Sequence, residues 1–299
     1  MSDTVIQVHG HSRPRALRYV LEGLRRQGAL PITEVWLDGH HGMPQVRPQV
    51  RACSALEEEF SGAKWMKYKA RIGHVKLFID SIRTALPKYE NIIILEDDCF
   101  PGRDAVSTFV DGLNRVRSDP TYFSIYGHHF GGPNERDETT AFQCWGWATT
   151  STKMKPIFED YVRLWEMPEP YFVRWLKDHL TDDIRNRMDV FPGRSTSAIQ
   201  NRFCYDAVMA FLIAKAKMLN KRTPHQVVFN FGIGKDSGHF TKASSKFFAP
   251  PFNMITESEL VSRFDLPLED HRWVGSLKKL LKKMIRPALK VAMSLKFWS

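Results

Sequence analysis

The chain has 299 residues, 43% of them hydrophobic and 12% aromatic, without low-complexity runs, which excludes a disordered chain and leaves room for one large domain or two small ones. Its four cysteines, Cys53, Cys99, Cys144 and Cys204, form no C-x-x-C pair, arguing against a zinc site and against a disulfide scaffold. The formal charge of +10 gathers in residues 271–299, where eight Lys and Arg stand without an acid. The remainder is close to neutral, so no nucleic-acid partner is expected.

VIQVHG (5–10) reads as a buried strand. Ser12 can cap a following helix, with Pro14 in its first turn and Leu17, Val20, Leu21 and Leu24 at helical spacing. Gly28 ends that helix, and EVWLDG (34–39) is a second strand. A Pro-punctuated loop is expected next, then a helix carrying Ile72, Val75, Ile79, Ile82 and Leu86 on one stripe. NIIIL (91–95) is a third strand, residues 104–117 a helix, and YFSIY (122–126) a fourth strand. From about residue 141 the pattern is less regular, with WGWATT (145–150), aromatic loops and a helix over about 204–219.

Strands alternating with helices predict an α/β fold with a mostly parallel, Rossmann-like sheet covered by helices. Ligands of such sheets bind beyond the carboxyl ends of the strands. His9 to Arg13, Asp38 to His41 and Glu96 to Asp98 all fall at such ends.

IIILEDDCFP (92–101) runs an aliphatic strand into three adjacent carboxylates, Glu96, Asp97 and Asp98. Like charges side by side repel, and burial makes them costlier, so something must compensate them. One reading is the acidic first turn of a helix. The other is a hard divalent cation, Mn²⁺ or Mg²⁺, which takes carboxylates and completes its shell with phosphate and water.

At this point the sequence resembles a known family. LEDD resembles the acidic motif of GT-A-fold glycosyltransferases. VHGHSRPRALRYVLEGL resembles the opening strand and helix of glycosyltransferase family two, WLDG its nucleoside-contacting segment, and CWGWAT the aromatic loop of a bacterial branch. NFGIGKDSGHF (230–240) resembles the closing segment shared with the Golgi N-acetylglucosaminyltransferase that starts complex N-glycans. Together these span roughly residues 4–240.

The resemblance implies a GT-A-like domain over 1–270, with a nucleotide-binding half over about 1–130 and an acceptor half over about 131–270. It assigns Asp98 and His239 to the metal, with Glu96 and Asp97 beside it. Asp38 and Arg13 go to the nucleoside, His74 lies near the nucleotide, and Asp206 is the catalytic base. It implies a nucleotide-sugar donor, with a UDP-sugar favoured, a saccharide or lipid-linked acceptor, and inversion. Thr150 stands where the bacterial branch usually has Trp, and the segment around Asp206 lacks its usual Trp; both departures bear on the acceptor pocket.

The same residues have plainer readings. Asp38 before Gly39 is a common turn former, His74 flanks an apolar stripe, and Asp206 suits a first helical turn. Asp182 and Asp183 rival Asp206 as base, His239 could be an ordinary loop residue, and Trp145 and Trp147 could be packing residues. The His40–His41 and His128–His129 pairs have no fixed spacing to a third ligand and are left unassigned.

Residues 271–299 form the basic tail. Within 273–299, Leu277, Leu280, Leu281, Met284, Ile285 and Leu289 alternate with Lys278, Lys279, Lys282, Lys283, Arg286 and Lys290, a basic amphipathic pattern suited to an anionic membrane surface. With no apolar signal-peptide core at the start and no run of about 18 apolar residues, the expectation is a cytoplasmic protein attached peripherally to the inner face of the cell membrane. Two other functions compete with the transferase. A nucleotidyltransferase of similar fold would need a Gly-rich phosphate loop after the first strand, and HGHSRPR has one Gly and a Pro. A non-enzymatic membrane scaffold would leave LEDD unexplained.

Overall fold

Seven consecutive buried residues, Thr4–Gly10, form the strand β1. It pairs in parallel with β2 (Thr33–Leu37) on one side and with β4 (Asn91–Glu96) on the other. The computed structural model describes residues 3–131, 136–140, 142–188, 205–233, 245–250 and 252–267. Within these, β3 (Lys64–Lys67), β6 (Tyr122–Tyr126), β7 (Glu138–Thr139), β8 (Trp147–Thr150) and β9 (Leu219–Arg222) complete an eight-stranded sheet of order β3-β2-β1-β4-β8-β6-β9-β7. A second, two-stranded sheet pairs β5 (Cys99–Pro101) antiparallel with β10 (Val228–Asn230).

The α/β class and the mostly parallel sheet expected from the sequence are present. Four junctions, β1–β2, β1–β4, β2–β3 and β6–β9, are parallel. The exceptions are β8, which lies antiparallel between β4 and β6, and β7 on β9. Because β8 separates them, β4 and β6 do not pair.

Pleating sends alternate side chains of β1 and β4 to opposite faces. Val5, Ile92 and Ile94 join one apolar cluster with α3 (His74–Ala85), α5 (Ser151–Glu166) and α8 (Tyr205–Lys215), through Val75, Phe78, Ile79, Ile157 and Tyr161 among others. Ile6, Val8, Ile93 and Leu95 point the other way and are equally buried. Both faces are therefore covered, as strands buried along nearly their whole length require. Helix α8 is buried along Ala207–Ala214, which fits its lack of a polar face.

α1 (Pro14–Arg26) and α4 (Ala105–Ser118) fall where the periodicity puts them, with Leu17, Val20, Leu21 and Leu24 buried. The helix expected to carry Ile72 to Leu86 is α3, which begins at His74 and ends at Ala85. The Pro-punctuated loop needs correction: it contains α2 (Arg47–Glu59) and then β3. Its prolines occupy first turns, where no backbone N–H is needed, so they start helical segments instead of breaking them. The aromatic segment WATT is strand β8, followed directly by α5, by α6 (Glu169–His179) and by α7 (Asp182–Met188).

The chain divides into two compact units, Met1–Glu257 and Ser258–Ser299. The helix α9 spans Glu257–Phe264, all but its first residue in the second. The basic tail over 271–299 lies outside the described residues. No helix among the described residues is long and apolar enough to cross a membrane.

Candidate active site

The three carboxylates leave the sheet at the end of β4, beside the end of β1, in the register His9↔Glu96. They do not start a helix. The chain turns at once into β5, and α4 begins only at Ala105. What compensates them is Arg13, in the loop between β1 and α1. Its guanidinium forks across the pair, Nη2 donating to Asp97 Oδ1 and Nη1 to Asp98 Oδ2. Asp97 and Asp98 are 2% and 7% exposed. A bidentate guanidinium is the cation geometry best matched to carboxylates out of water.

Glu96 does not share that fork. It accepts a hydrogen bond from the Tyr205 hydroxyl at 3.2 Å. Its side chain keeps a partial opening to solvent, yet crowding by protein atoms and then the charge of Asp98 push its carboxyl up to about 8. Burial likewise raises Asp97, against the pull of Arg13. Tyr205 is buried, and burial and the Glu96 charge hold its phenol well above its ordinary range.

Asp206 follows Tyr205 in the first turn of α8. Its carboxylate acts electrostatically on both Glu96 and His74, and Cys144 Sγ lies 3.9 Å from its Oδ2. Asp182 and Asp183, its rivals, are exposed on α7, where Asp183 pairs with Arg187 of the same helix at 3.1 Å. His74, first residue of α3, is exposed and sets its ring edge-on to Tyr205 with centroids 4.7 Å apart. Asp206, Arg13, Asp98 and Asp38 all act electrostatically on it. The sequence-selected residues Arg13, Asp38, His74, Glu96, Asp97, Asp98 and Asp206 thus share one neighbourhood at the carboxyl ends of β1, β2 and β4. His239 lies outside the described residues.

Asp38 is held in a particular way. Its buried carboxylate accepts the backbone N–H groups of Gly39 at 2.8 Å, Ile72 at 2.7 Å and Gly73 at 3.0 Å. It therefore ties the end of β2 to the loop that leads into α3. Gly39 is required beside it, because a Cβ there would stand 2.3 Å from the Ala70 carbonyl oxygen. Arg13 contacts the acidic pair, at the opposite side of β1 from Asp38.

Below the cluster lies His9, 3% exposed. Ser81 Oγ donates to the Phe78 carbonyl at 2.9 Å, so His9 Nε2–H donates to Ser81 Oγ at 2.9 Å and Nδ1 is left without a hydrogen bond. A proton on Nδ1 would be a buried charge with no acceptor. Burial, then the neighbouring His74, accordingly lower His9 to about 3.

Several residues without an assigned role now have one. His128 is fully buried; its Nε2 donates to the Phe252 carbonyl at 2.8 Å and its Nδ1 faces the Asn230 N–H at 3.4 Å, a structural bracket. Trp147 is core, and Trp145 stacks on Phe130 with centroids 5.2 Å apart. Sequence reasoning missed Tyr205 and Gly232. A Cβ on Gly232 would sit 1.9 Å from Asp98 Oδ2, so the acidic loop and the segment after β10 close on each other only with glycine there. The adjacency of Tyr205 to Asp206 was the available signal for the first.

Among the described residues no group of three or more His, Cys, Asp and Glu is arranged to hold a metal ion. The donor chemistry nevertheless fits a hard divalent cation. Asp97 and Asp98 present buried carboxylate oxygens whose charge is here met by a positive group, the Arg13 guanidinium, in the position of a cation.

No family model and no curated relative matches the chain. Partial likenesses to solved structures include mannose-1-phosphate geranyltransferase from Thermus thermophilus, 12% identical over 74% of this chain and 73% of that one, with a TM-score of 0.42. The mannosyltransferase PcManGT from Pyrobaculum calidifontis, in complex with GDP-Man and Mn²⁺, is 13% identical over 72% and 73%, with a TM-score of 0.41. A cytidylyltransferase from Leptospira borgpetersenii is 12% identical over 60% and 72%, with a TM-score of 0.38. At these identities and TM-scores the likenesses carry no inference about substrate or chemistry.

Proposed function

We propose that the chain is a GT-A-like glycosyltransferase that moves a sugar from a nucleotide-sugar donor to a saccharide or lipid-linked saccharide acceptor, with inversion, using a divalent cation. The observation that carries this reading is the convergence of Asp206 with Glu96, Asp97, Asp98 and Arg13 at the carboxyl ends of the parallel strands. It agrees with the resemblance of LEDD, WLDG and CWGWAT to the family's motifs. In the reaction, Asp206 takes the proton of the acceptor hydroxyl as it attacks the anomeric carbon. Arg13 carries positive charge toward the departing diphosphate. Asp98 and Asp97, with His239 from the resemblance, would hold Mn²⁺ or Mg²⁺, which when bound neutralises the leaving group. Tyr205 fixes Glu96, and Asp38 fixes the loop that presents His74.

The test is a panel of nucleotide sugars, UDP-sugars first, incubated with and without Mn²⁺. Nucleoside diphosphate release that needs the metal is expected. Pyrophosphate exchange instead would indicate a nucleotidyltransferase, and no turnover with any donor would sink the enzyme reading.

The basic segment 273–299 places the enzyme on the cytoplasmic face of the membrane in this proposal. At about 1 kcal/mol per basic residue near anionic lipid, half of its charges suffice for salt-sensitive binding. The full chain should pellet with anionic liposomes at low salt and a version ending at Asp270 should not; equal pelleting of the two would exclude the role.

A further inference from the structure

We infer that Arg13 is the acidic loop's own counter-cation, and that it makes divalent-metal binding conditional on a nucleoside diphosphate. The inference rests on the transferase reading and adds to it an order of binding. Asp97 Oδ1 and Asp98 Oδ2 are both engaged by the Arg13 fork. The other oxygen of Asp97 faces the His11 N–H at 3.4 Å, and Asp98 Oδ1 lies 3.8 Å from Cys99 Sγ. A metal ion entering this arrangement would meet occupied oxygens and a fixed positive charge at van der Waals range, and two cations that close repel strongly where water is scarce.

Arg13 can leave. It lies in the β1–α1 loop at the N-cap position of α1, with no side-chain capping bond, and its side chain is 22% exposed while its partners are 3% and 9%. Something must receive it, because an arginine forked to two carboxylates gives them up only for an equivalent pair of anionic oxygens. A diphosphate supplies such a pair in the same planar, bidentate form. The carboxylates released by that exchange are then free to take the metal. Phosphate without metal leaves the acids uncompensated, and metal without phosphate finds Arg13 in place, so the two ligands bind as a pair.

Free Mn²⁺ can be followed by electron paramagnetic resonance in the full chain and in Arg13→Gln, alone and with UDP or GDP. In the unmodified chain, Mn²⁺ affinity should rise on the order of tenfold or more when a diphosphate is present. In Arg13→Gln, Mn²⁺ alone should bind on the order of tenfold or more tighter than in the unmodified chain, and the effect of diphosphate should shrink. Thermal unfolding gives a second readout, since Mn²⁺ alone should raise the melting temperature of the variant more than that of the unmodified chain. Should Arg13→Gln not fold, Arg13→Lys keeps the charge but cannot span both carboxylates, and it should also bind Mn²⁺ alone more tightly than the unmodified chain. Equal Mn²⁺ affinity in the variant and the unmodified chain overturns the inference, while Mn²⁺ uptake with UDP or GDP would leave the transferase reading standing. Tight Mn²⁺ binding by the unmodified chain without nucleotide also overturns it. Absence of Mn²⁺ binding in every arm removes both.

Discussion

At the scale of single residues, two half-buried acids, Asp206 and Glu96, share the site. Asp206 is half-buried at the start of α8. Glu96 is capped by the Tyr205 hydroxyl and crowded, and its carboxyl is pushed up to about 8. A carboxyl pushed up to about 8 is largely protonated at neutral pH, which argues against Glu96 as the acceptor of a sugar hydroxyl's proton. Asp206→Asn preserves shape and removes the proton acceptor. Donor affinity by calorimetry should be unchanged, while turnover falls about 10²- to 10⁴-fold. A parallel loss of donor affinity would move the base elsewhere. The compensation of Asp97 and Asp98 was not legible in the sequence, because 84 residues separate Arg13 from Asp97 and no local pattern joins them. That three adjacent acids needed compensation was legible; that Arg13 supplies it for Asp97 and Asp98 was a matter of tertiary structure.

At the scale of elements, the strands that approach the site were readable because they are buried on both faces. NIIIL carries an uninterrupted aliphatic run and VIQVHG alternates too little to be half exposed, and their bounds differ from β4 and β1 by a residue. Two elements that border solvent were not. The edge strand β3 is KWMK, with exposed lysines at both ends and no apolar run, and α2 was hidden by prolines that occupy its first turn. Asp38 lies between these extremes. Its place at a strand end was legible, but its three backbone partners were not, since two of them are more than 30 residues away. Those bonds make it the brace of the β3–α3 connection. Asp38→Ala should leave the buried Gly39 and the part-buried Ile72 and Gly73 N–H groups without their acceptor, and lower unfolding free energy by about 2 kcal/mol in urea titration. A change below about 0.5 kcal/mol would show that the loop holds without it.

At the scale of the whole molecule, the buried neutral His9 sets a direction for acid stability. Its folded pKa is lowered to about 3 from an ordinary value of 6.5, by burial and then by His74. The unfolded chain therefore binds the extra proton between those values. Stability is complete above pH 6.5 and falls as pH drops through it, by about 2 kcal/mol at pH 5 from this one group. His9→Gln should flatten the stability profile between pH 7.5 and 5, measured by denaturant midpoints at each pH. An unchanged slope would assign the acid sensitivity to other groups.

The antiparallel wedge β8 has a consequence for how the molecule is made. Until Trp147–Thr150 is available, β4 has β1 on one flank and a bare row of amide and carbonyl groups on the other, along the most aliphatic strand of the sheet. Chain growth thus passes through a stage, after β4 and before β8, in which a sticky edge is open with no partner yet synthesised. A fragment ending at residue 140 should associate through that edge and elute as a large species. One ending at Glu166, which includes β8 and α5, should do so much less. Similar association of both fragments would place the vulnerable surface elsewhere.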